Sequence, residues 1–425
     1  MTSPVRLPRR RVVVTGMGVV TPLGNDVAVF WDRLVRGDSG VREITAFDPA
    51  RVPSRIAGEV RDFDPSSVLD RKEIRRNDRY TQFALVATRE AMNQAGLPER
   101  LEGEFADRTG AIIGSGLGGS GTLVEQISIN ATRGPGRLSP FFIPMGIANM
   151  ASGQTAISFG ARGPNYATVS ACATAGHALG EAAETIIRGD ADVMLAGGSE
   201  APVFEPLVGA FSAMRALSTR NDDPPGASRP FDEGRDGFVI AEGAGVLVLE
   251  ELDHARRRGA RILAELAGYG ATADANHITL PAPGGAGGVR AAQRALEKAG
   301  MDPSEIDHVN AHATSTPEGD PAELAAFRST FGEHASRLSI TATKSAIGHT
   351  LGAAGGIGAV AAICAMRDGC VPPTLNLVDP APDMGDLDCT PLKSQSREMR
   401  AALVNAFGFG GQNAALIFRL WEESS

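Results

Sequence analysis

The sequence predicts an α/β protein built from two related halves. Short apolar or β-branched segments alternate along the chain with longer amphipathic ones, a pattern typical of buried, largely parallel strands covered by helices. In addition, Gly-rich approaches lead into similar apolar runs at residues 243–250 and 410–418, which indicates an internal duplication. The length of 425 residues suits two to three domains. We therefore expect a first half at residues 1–258, enlarged by insertions, and a second half at residues 259–425.

Ten segments are predicted to be strands because they are short and apolar, with Gly, Ser or Thr at or near one end. In chain order these are residues 11–15, 110–114, 166–170, 192–196, 244–249, 261–270, 308–311, 338–342, 402–405 and 414–419. Five segments between them are predicted to be helices: residues 81–95, 174–188, 288–299, 321–331 and 353–367. A short basic tail precedes the first strand. Gly16, Gly18 and Pro22 interrupt the apolar run that follows the tail, which argues against a signal peptide.

Composition excludes several functional classes. The chain has 41 Lys and Arg residues against 50 Asp and Glu residues, for a net charge of −9, which argues against a general nucleic-acid-binding surface. Its 4 cysteines, with no C-x-x-C pair, are too few for a disulfide framework and argue against structural zinc. The longest apolar stretch, residues 353–366, is too short to span a bilayer. We expect a cytoplasmic protein with reduced cysteines and no membrane partner.

A basic stretch stands out on this acidic chain. Arg71, Lys72, Arg75, Arg76 and Arg79 lie close together in sequence, and a continuous helix would place the last four on one face. A solvated helix surface explains this pattern, and so does a docking patch for an acidic partner.

The segment at residues 166–180 carries the strongest chemical signal. A predicted strand runs into a turn of small residues at Cys172, and a predicted helix follows. Backbone N–H groups of the first helical turn would point at the sulfur and lower the pKa of the thiol, as suits a nucleophile. A lone cysteine is also often an inert core residue, so both interpretations stay open here. Cys364, Cys370 and Cys389 lack such a setting.

Two of the 7 histidines occur in matched settings. His312 and His349 each follow a predicted strand and lie among Gly, Ala, Ser and Thr, and catalytic groups collect at such strand ends. Either one, taken alone, is consistent with a structural histidine. His177 falls on the helix behind Cys172 and is expected in packing.

Two glycine-rich segments are candidate binding loops. Glycines around Phe409 permit unusual backbone conformations, so a backbone N–H there could complete an oxyanion hole; a plain β-turn is the alternative. The Gly-x-Gly-x-x-Gly pattern at residues 114–119 follows a predicted strand. A dinucleotide site would need an acid about 20 residues further on, and residues 131–143 contain no Asp or Glu. We therefore expect no nucleotide site.

Together, the Cys172 segment, the His312 and His349 segments and the Gly-Phe-Gly-Gly turn resemble the β-ketoacyl-acyl-carrier-protein synthases, most closely the elongating type II enzymes. Arg215-Ala-Leu-Ser-Thr-Arg-Asn and Ser228-Arg-Pro-Phe-Asp-Glu-Gly-Arg-Asp-Gly-Phe also resemble that family. The match covers nearly the whole chain. The resemblance implies a thiolase-like fold, with two βαβαβαββ-type halves in five α-β-α-β-α layers, and a homodimer.

The resemblance also implies an acyltransferase that performs a decarboxylative Claisen condensation in fatty-acid chain elongation. Cys172 would take an acyl chain from acyl carrier protein, the expected partner, as a thioester. Malonyl-carrier protein would then lose carbon dioxide, and its carbanion would attack the thioester. The backbone N–H groups of Cys172 and Phe409 would hold the oxyanion. His312 and His349 would stabilise the enolate as N–H donors, and Lys344 would orient them electrostatically. No cofactor is expected beyond the phosphopantetheine that carries the substrates.

Further positions match the family. Asp320 and Glu323 are the expected acidic partners of Lys344, and Phe409 would also gate access to Cys172. The expected acyl-pocket residues are Leu117, Phe142, Ile143 and Phe211, of which Phe142 and Ile143 would be donated across the dimer. The residues expected to bond the pantetheine arm are Thr279, Thr314 and Thr316. The expected carrier-protein docking residues are Lys72, Arg75, Arg76, Arg79, Arg137 and Arg215.

Two departures and three alternatives accompany this resemblance. Ala313 replaces the usual Gly after His312, and Gly358 stands where an acid often binds a structural cation, so no metal is expected. A ketosynthase of polyketide or other specialised assembly is one alternative, because the motifs overlap. A non-catalytic chain-length partner subunit would lack Cys172. A thiolase-like enzyme acting on coenzyme A thioesters would use a second cysteine where this chain has histidines.

Overall fold

The computed structural model describes residues 10–422. The basic tail at residues 1–9, expected to precede the first strand, lies outside the described residues, as do residues 423–425. Within the described range, one large sheet of ten strands carries the fold, and two small two-stranded sheets, β2 with β3 and β11 with β12, lie apart from it.

The strands are β1 (Val12–Val20), β2 (Arg42–Glu43), β3 (Ile56–Ala57), β4 (Thr109–Gly114), β5 (Asn165–Tyr166), β6 (Val193–Glu200), β7 (Gly243–Glu251), β8 (Ala264–Ala273), β9 (His308–Asn310), β10 (Ser339–Thr341), β11 (Cys370–Val371), β12 (Gln395–Ser396), β13 (Ala401–Gly408) and β14 (Gln412–Leu420). The helices are α1 (Val27–Arg36), α2 (Arg71–Arg76), α3 (Arg79–Gln94), α4 (Gly103–Asp107), α5 (Ser120–Arg133), α6 (Phe142–Gly146), α7 (Met150–Phe159), α8 (Thr174–Arg188), α9 (Glu205–Ala213), α10 (Leu252–Arg257), α11 (Ala286–Ala299), α12 (Gly319–Phe331), α13 (Lys344–Ile347) and α14 (Ala354–Asp368).

The large sheet repeats one strand pattern twice. Its order is β5-β4-β6-β7-β1 in one set and β10-β9-β13-β14-β8 in the other, and the two sets meet where β1 pairs with β8. The two similar apolar runs of the sequence lie in β7 and β14, which occupy equivalent places. The predicted duplication is therefore confirmed. Where the chain divides, at residues 258 and 259, stays a prediction.

The expectation of largely parallel strands is wrong. In each set the first three strands are parallel, but the pairs β6–β7, β7–β1, β13–β14 and β14–β8 are antiparallel. The reason is visible at the turn between β13 and β14, because only antiparallel neighbours can be joined by so short a connection.

The layers follow from the helix contacts. Helices α8 and α14 lie between the two sets of strands, while α3 and α7 cover the first set on its outer side and α11 and α12 cover the second. This is the five-layered arrangement that the resemblance implied. The segment Leu351–Asp368, which includes α14, is long and apolar enough to cross a membrane by length and composition, contrary to the shorter estimate from sequence. However, 89% of it is buried inside this fold, where it forms the central layer.

Candidate active site

Cys172 lies in a short 3-10 turn, Ala171–Ala173, that leads directly into α8. The hydroxyl of Thr174 fixes this turn, since it accepts from the Ser170 N–H at 2.9 Å and donates to the Ala171 carbonyl at 2.7 Å. The Cys172 residue is only 8% exposed. The predicted strand–turn–helix setting is therefore present, in the interior of the molecule.

His349 occupies the equivalent place in the second set of elements. It follows β10 and α13 and precedes α14, as Cys172 follows β5 and precedes α8. The first half holds its backbone, because its N–H donates to the Val239 carbonyl at 2.7 Å and its carbonyl accepts from the Ala241 N–H at 3.0 Å. Its Nε2 lies 3.0 Å from Cys172 Sγ. The duplication thus brings the nucleophile and this histidine together between the two halves.

His312 completes the group from the end of β9. Its ring stands nearly perpendicular to that of His349, with 5.4 Å between the ring centroids. The carboxylate of Glu323 holds the backbone here, accepting from the His312 N–H at 2.8 Å and the Ala313 N–H at 2.7 Å. Ala313 has a φ of 31°, a conformation that favours glycine. The departure from the family pattern at Ala313 is therefore accommodated by backbone that Glu323 restrains.

Electrostatics at the thiol differ from the expectation. Burial raises the pKa of the Cys172 thiol to about 12, and Glu200 also raises it, while Lys344 and the N–H groups of Cys172 and Phe409 lower it. The predicted lowering of the thiol pKa is therefore wrong for the resting site, because lost hydration outweighs the favourable charge and dipoles. The thiol is neutral at rest and must lose its proton as it reacts.

Both histidines are held neutral. Burial, and after it the charge of Lys344, lowers the pKa values of His312 and His349 well below the usual range. Burial also lowers the pKa of Lys344 to about 8, whereas Glu323, Cys172 and Asp320 act to keep it charged. Within residues 10–422, Nδ1 of either histidine has no hydrogen-bond partner. The single proton of each neutral ring is therefore free to reside on Nε2.

The turn between β13 and β14 presses against the nucleophile. A Cβ at Gly408 would lie 2.7 Å from the Ser170 carbonyl oxygen and 3.2 Å from the Cys172 nitrogen, so only glycine allows this approach. Gly410 and Gly411 then turn the chain with φ values of 84° and 70°. The N–H groups of Cys172 and Phe409 both lower the pKa of the thiol, so this turn is the place where an oxyanion hole is expected.

A cavity of about 450 Å³ opens onto Cys172, His312 and His349. Apolar side chains surround the nucleophile on one side, and the cavity lining includes Leu117, Phe211, Phe238 and Leu351. The residues predicted to bond the pantetheine arm also line the cavity: Thr279, Thr314 and Thr316. The hydroxyl oxygens of Thr314 and Thr316 are 3.1 Å apart. The cavity therefore combines an apolar wall with hydroxyl groups.

Other predicted substrate residues lie elsewhere. Phe142 and Ile143 are on α6, where Ile143 is 61% exposed, and neither lines the cavity of the single chain. Their contribution across a dimer stays a prediction.

The predicted docking residues do not share one helical face. Helix α2 ends at Arg76 and Arg79 begins α3, so the basic stretch does not form one continuous helix. Asn77 has an extended backbone conformation and interrupts it. Arg79 donates to Glu242 at 2.8 Å and to the Val60 carbonyl at 2.7 Å, and its charge is therefore used within the chain.

The remaining docking candidates divide between two places. Lys72 and Arg75 are exposed on α2, and Arg76 lies over the Phe141 ring at 4.9 Å, beside the segment that contains exposed Arg137. Arg215 lines the cavity instead.

Sequence reasoning missed three residues of the site. Phe238 packs against His349 and Phe407 packs against His312, with ring centroids 5.4 and 5.6 Å apart. Glu200, at the end of β6, lines the cavity with its carboxylate fully buried. For Glu200, the available sequence signal was an acidic residue at the end of the apolar strand β6.

The comparisons with known proteins agree with this geometry. Residues 9–255 match the family model described as the β-ketoacyl synthase N-terminal domain, and residues 263–378 match that of the C-terminal domain. The chain belongs to the β-ketoacyl synthase family.

Curated relatives of this β-ketoacyl synthase cover its length. It is 49% identical over 413 residues to the 3-oxoacyl-acyl-carrier-protein synthase 2 of Staphylococcus aureus strain N315, with 97% of this chain and 99% of the relative covered. Identity to the protein of the same name from Coxiella burnetii strain RSA 493 is 47% over 412 residues, with the same coverage.

Solved structures share the fold. A β-ketoacyl synthase from Burkholderia phymatum STM815 is 36% identical with a TM-score of 0.91, and the match covers 97% of this chain and 100% of that one. A type II polyketide ketosynthase in complex with its acyl-carrier protein, bound to a hexaketide, is 35% identical with a TM-score of 0.89, covering 98% and 100%. The thiolase-like fold of this β-ketoacyl synthase is thereby shown.

Proposed function

We propose that this synthase condenses a Cys172-bound acyl chain with malonyl-acyl-carrier protein, releasing carbon dioxide and giving 3-oxoacyl-acyl-carrier protein in fatty-acid elongation. The observation that carries the proposal is the 3.0 Å contact between Cys172 Sγ and His349 Nε2, with the ring of His312 beside it in one cavity. A nucleophile and two neutral histidines supply what acyl transfer and decarboxylation need.

The first stage is acyl transfer. Cys172 Sγ attacks the thioester carbonyl of the acyl-carrier protein, and the thiol proton moves to the pantetheine sulfur, which is the leaving group. The N–H groups of Cys172 and Phe409 stabilise the oxyanion, a contribution of roughly 3–4 kcal/mol per donor in such sites. The carbon–sulfur bond of the substrate then breaks, and the pantetheine leaves as a thiol that carries the proton from Cys172. The acyl chain lies against the apolar wall that includes Leu117 and Phe211.

The second stage is decarboxylation and condensation. The malonyl thioester enters past Thr279, Thr314 and Thr316, and its bond to the carboxylate breaks. The electron pair moves to an enolate whose oxygen accepts from the ring N–H groups of His312 and His349. The enolate carbon attacks the acyl carbonyl, and Cys172 Sγ departs as a thiolate that takes a proton from water to restore the resting thiol. The electrons come from the malonyl carboxylate, so this reaction needs no resident cofactor.

Two comparisons favour fatty-acid elongation over the alternatives. Identity to the curated 3-oxoacyl-acyl-carrier-protein synthases 2 is 49%, against 35% to the solved polyketide ketosynthase. A non-catalytic partner subunit is disfavoured because Cys172, His312 and His349 are all present and converge.

Decarboxylation of malonyl-carrier protein tests the proposal. Wild type should release carbon dioxide, and His312→Ala should lose this activity by about 100-fold or more, while its Cys172 is still acylated. His334→Ala is the matched control, since His334 bonds only the Ile306 carbonyl among the described contacts. Undiminished decarboxylation by His312→Ala would contradict the proposed role.

We also propose that the exposed end of α2 docks the acyl carrier protein. One solved relative is a ketosynthase in complex with its acyl-carrier protein, and Lys72 and Arg75 are exposed here. Lys72→Glu/Arg75→Glu should raise the KM for carrier-bound substrate without changing kcat for a small malonyl thioester. The control is Arg257→Glu/Arg261→Glu, a reversal of two exposed charges near α10. Equal KM values in both double variants would refute this docking site.

A homodimer through the β5 edge is the third part of the proposal. β5 is the last strand of the large sheet, and Tyr166 and Val169 are 41% and 59% exposed there. Ile127, Ile143 and Ile157 are likewise exposed. An edge strand beside exposed apolar side chains is suited to pairing with a second copy.

A further inference from the structure

The glycine-rich segment after β4 encloses a carboxylate of the same protein. Glu200 is fully buried and accepts from Ser115 Oγ at 2.7 Å, from the Gly116 N–H at 2.8 Å and from the Leu117 N–H at 3.1 Å. Successive backbone N–H groups that converge in this way are typical of an anion-binding loop. The Gly-x-Gly-x-x-Gly pattern at residues 114–119 therefore binds an internal anion in place of a nucleotide phosphate.

A fourth donor links this carboxylate to the other half of the site. The Gly352 N–H, three residues after His349, donates to Glu200 Oε2 at 3.0 Å. A Cβ at Gly352 would overlap this oxygen, and a Cβ at Gly116 would lie 3.0 Å from it. The close approach of both segments to Glu200 therefore depends on glycine.

The role of this carboxylate is positional. Its four donors are uncharged groups, and burial raises the pKa of Glu200 to about 6 against their opposing effect. Its negative charge raises the pKa of the Cys172 thiol, which by itself hinders the nucleophile. What Glu200 supplies is a fixed connection between Leu117, on the cavity wall, and the turn that follows His349.

We propose that Glu200 is a positioning residue that fixes the position of the acyl-pocket wall at Leu117 relative to the turn after His349, beside Cys172. It thereby sets which acyl chains reach a reactive position. This inference rests on the proposed function, in which the acyl chain lies against Leu117.

The variant Glu200→Gln tests the inference because it keeps the side-chain volume but replaces an acceptor oxygen with an N–H donor. Two of the four donors then lose their partner. We expect the acylation rate of Cys172 by long-chain acyl-carrier protein to fall tenfold or more, because a single buried donor left unpaired already corresponds to about tenfold. The fall for short chains should be smaller. The KM for malonyl-carrier protein should not change. Glu200→Asp, which keeps the charge, should recover part of the long-chain rate.

Glu90→Gln is the matched control. Glu90 is a carboxylate on α3 that accepts from the Val19 N–H at 2.9 Å and the Val27 N–H at 2.7 Å, and it does not line the cavity. This variant should lower Tm without changing the ratio of long-chain to short-chain rates.

The pH dependence of Cys172 alkylation by iodoacetamide gives a readout without carrier protein. Removal of the Glu200 charge should move this profile to lower pH, and Glu90→Gln should leave it in place. A wild type that is never acylated would defeat the proposed function without affecting this readout. A long-to-short rate ratio equal to that of wild type in folded Glu200→Gln would overturn the inference. If Glu200→Gln does not fold, Glu200→Asp decides: a wild-type rate ratio overturns the inference, and a reduced long-chain rate supports it.

Discussion

At the scale of single residues, the protonation states of the site depend on one buried cation. Lys344 is 7% exposed and lies on α13. Its charge is the second cause, after burial, of the lowered pKa values of His312 and His349, and it also opposes the raised pKa of Cys172. The charge of Lys344 therefore favours the neutral forms of both histidines, and it also favours ionisation of the Cys172 thiol.

Replacement of Lys344 by an uncharged residue should change the pH dependence of malonyl decarboxylation. In Lys344→Met the pKa values of both histidines should rise, because one of the causes that lower them is gone, so the rings become protonated at higher pH. The acid limb of malonyl decarboxylation should then shift to higher pH, with a larger loss of rate at pH 6 than at pH 8. Lys344→Arg keeps the charge and should retain the wild-type limb. A limb that stays in place in Lys344→Met would show that burial alone keeps the histidines neutral.

At the scale of elements, catalysis depends on the contact between two turns. The turn after β13 reaches the turn before α8 only because Gly408 has no side chain. This contact brings the N–H groups of Cys172 and Phe409 to the same sulfur.

A methyl group at Gly408 should therefore separate the two donors. We expect Gly408→Ala to lower the rate of Cys172 acylation by about 100-fold, the usual effect of losing one oxyanion donor, with a small effect on Tm. Gly153→Ala in α7 is the control, since its added Cβ would approach nothing more closely than Met150 Sδ at 3.6 Å. A wild-type acylation rate in Gly408→Ala would argue against an oxyanion hole at this place.

The predictable elements are those with a continuous apolar pattern. Nine of the ten predicted strands lie on strands of the large sheet, and the five predicted helices correspond to α3, α8, α11, α12 and α14, because burial on several sides leaves a clear apolar signal. The strand predicted at residues 166–170 meets β5 only at Tyr166, because this exposed edge strand ends there. Helix α5 was not predicted, since its buried residues are the polar Thr122 and Gln126 and it has no apolar stripe.

Among the site residues, too, only those with a local sequence pattern could be predicted. Cys172 and His312 could be predicted because the local strand ends and turns mark them. For Glu200 the sequence shows only an acid at the end of an apolar strand, and its role could not be predicted because it arises from contacts with Gly116 and Gly352, which lie 84 and 152 positions away in the sequence.

At the scale of the whole molecule, the large sheet of the described residues ends in two edge strands, β10 and β5. The outer side of β10 bonds Asp388, whose carbonyl accepts from the Ile340 N–H at 2.8 Å. β5 ends at Tyr166, six residues before Cys172, and Val169 between them is 59% exposed. A second copy that covers this edge would also reach the neighbourhood of Cys172.

A charge at this edge should disrupt the proposed dimer. Val169→Asp should convert the wild-type dimer to monomer in analytical ultracentrifugation, because pairing would bury an unpartnered carboxylate. Val378→Asp is the control, a substitution of an equally apolar residue that is 60% exposed elsewhere. A monomeric wild type, or a dimeric Val169→Asp, would refute the β5 interface.

The central claim, that Cys172 carries the acyl chain, is tested most directly by intact-mass spectrometry. Wild type and Cys172→Ala would each be incubated with a series of acyl-carrier proteins of increasing chain length. We expect a single acyl adduct on wild type and none on Cys172→Ala. An adduct on both proteins, or no adduct on wild type with any donor, would contradict this role of Cys172.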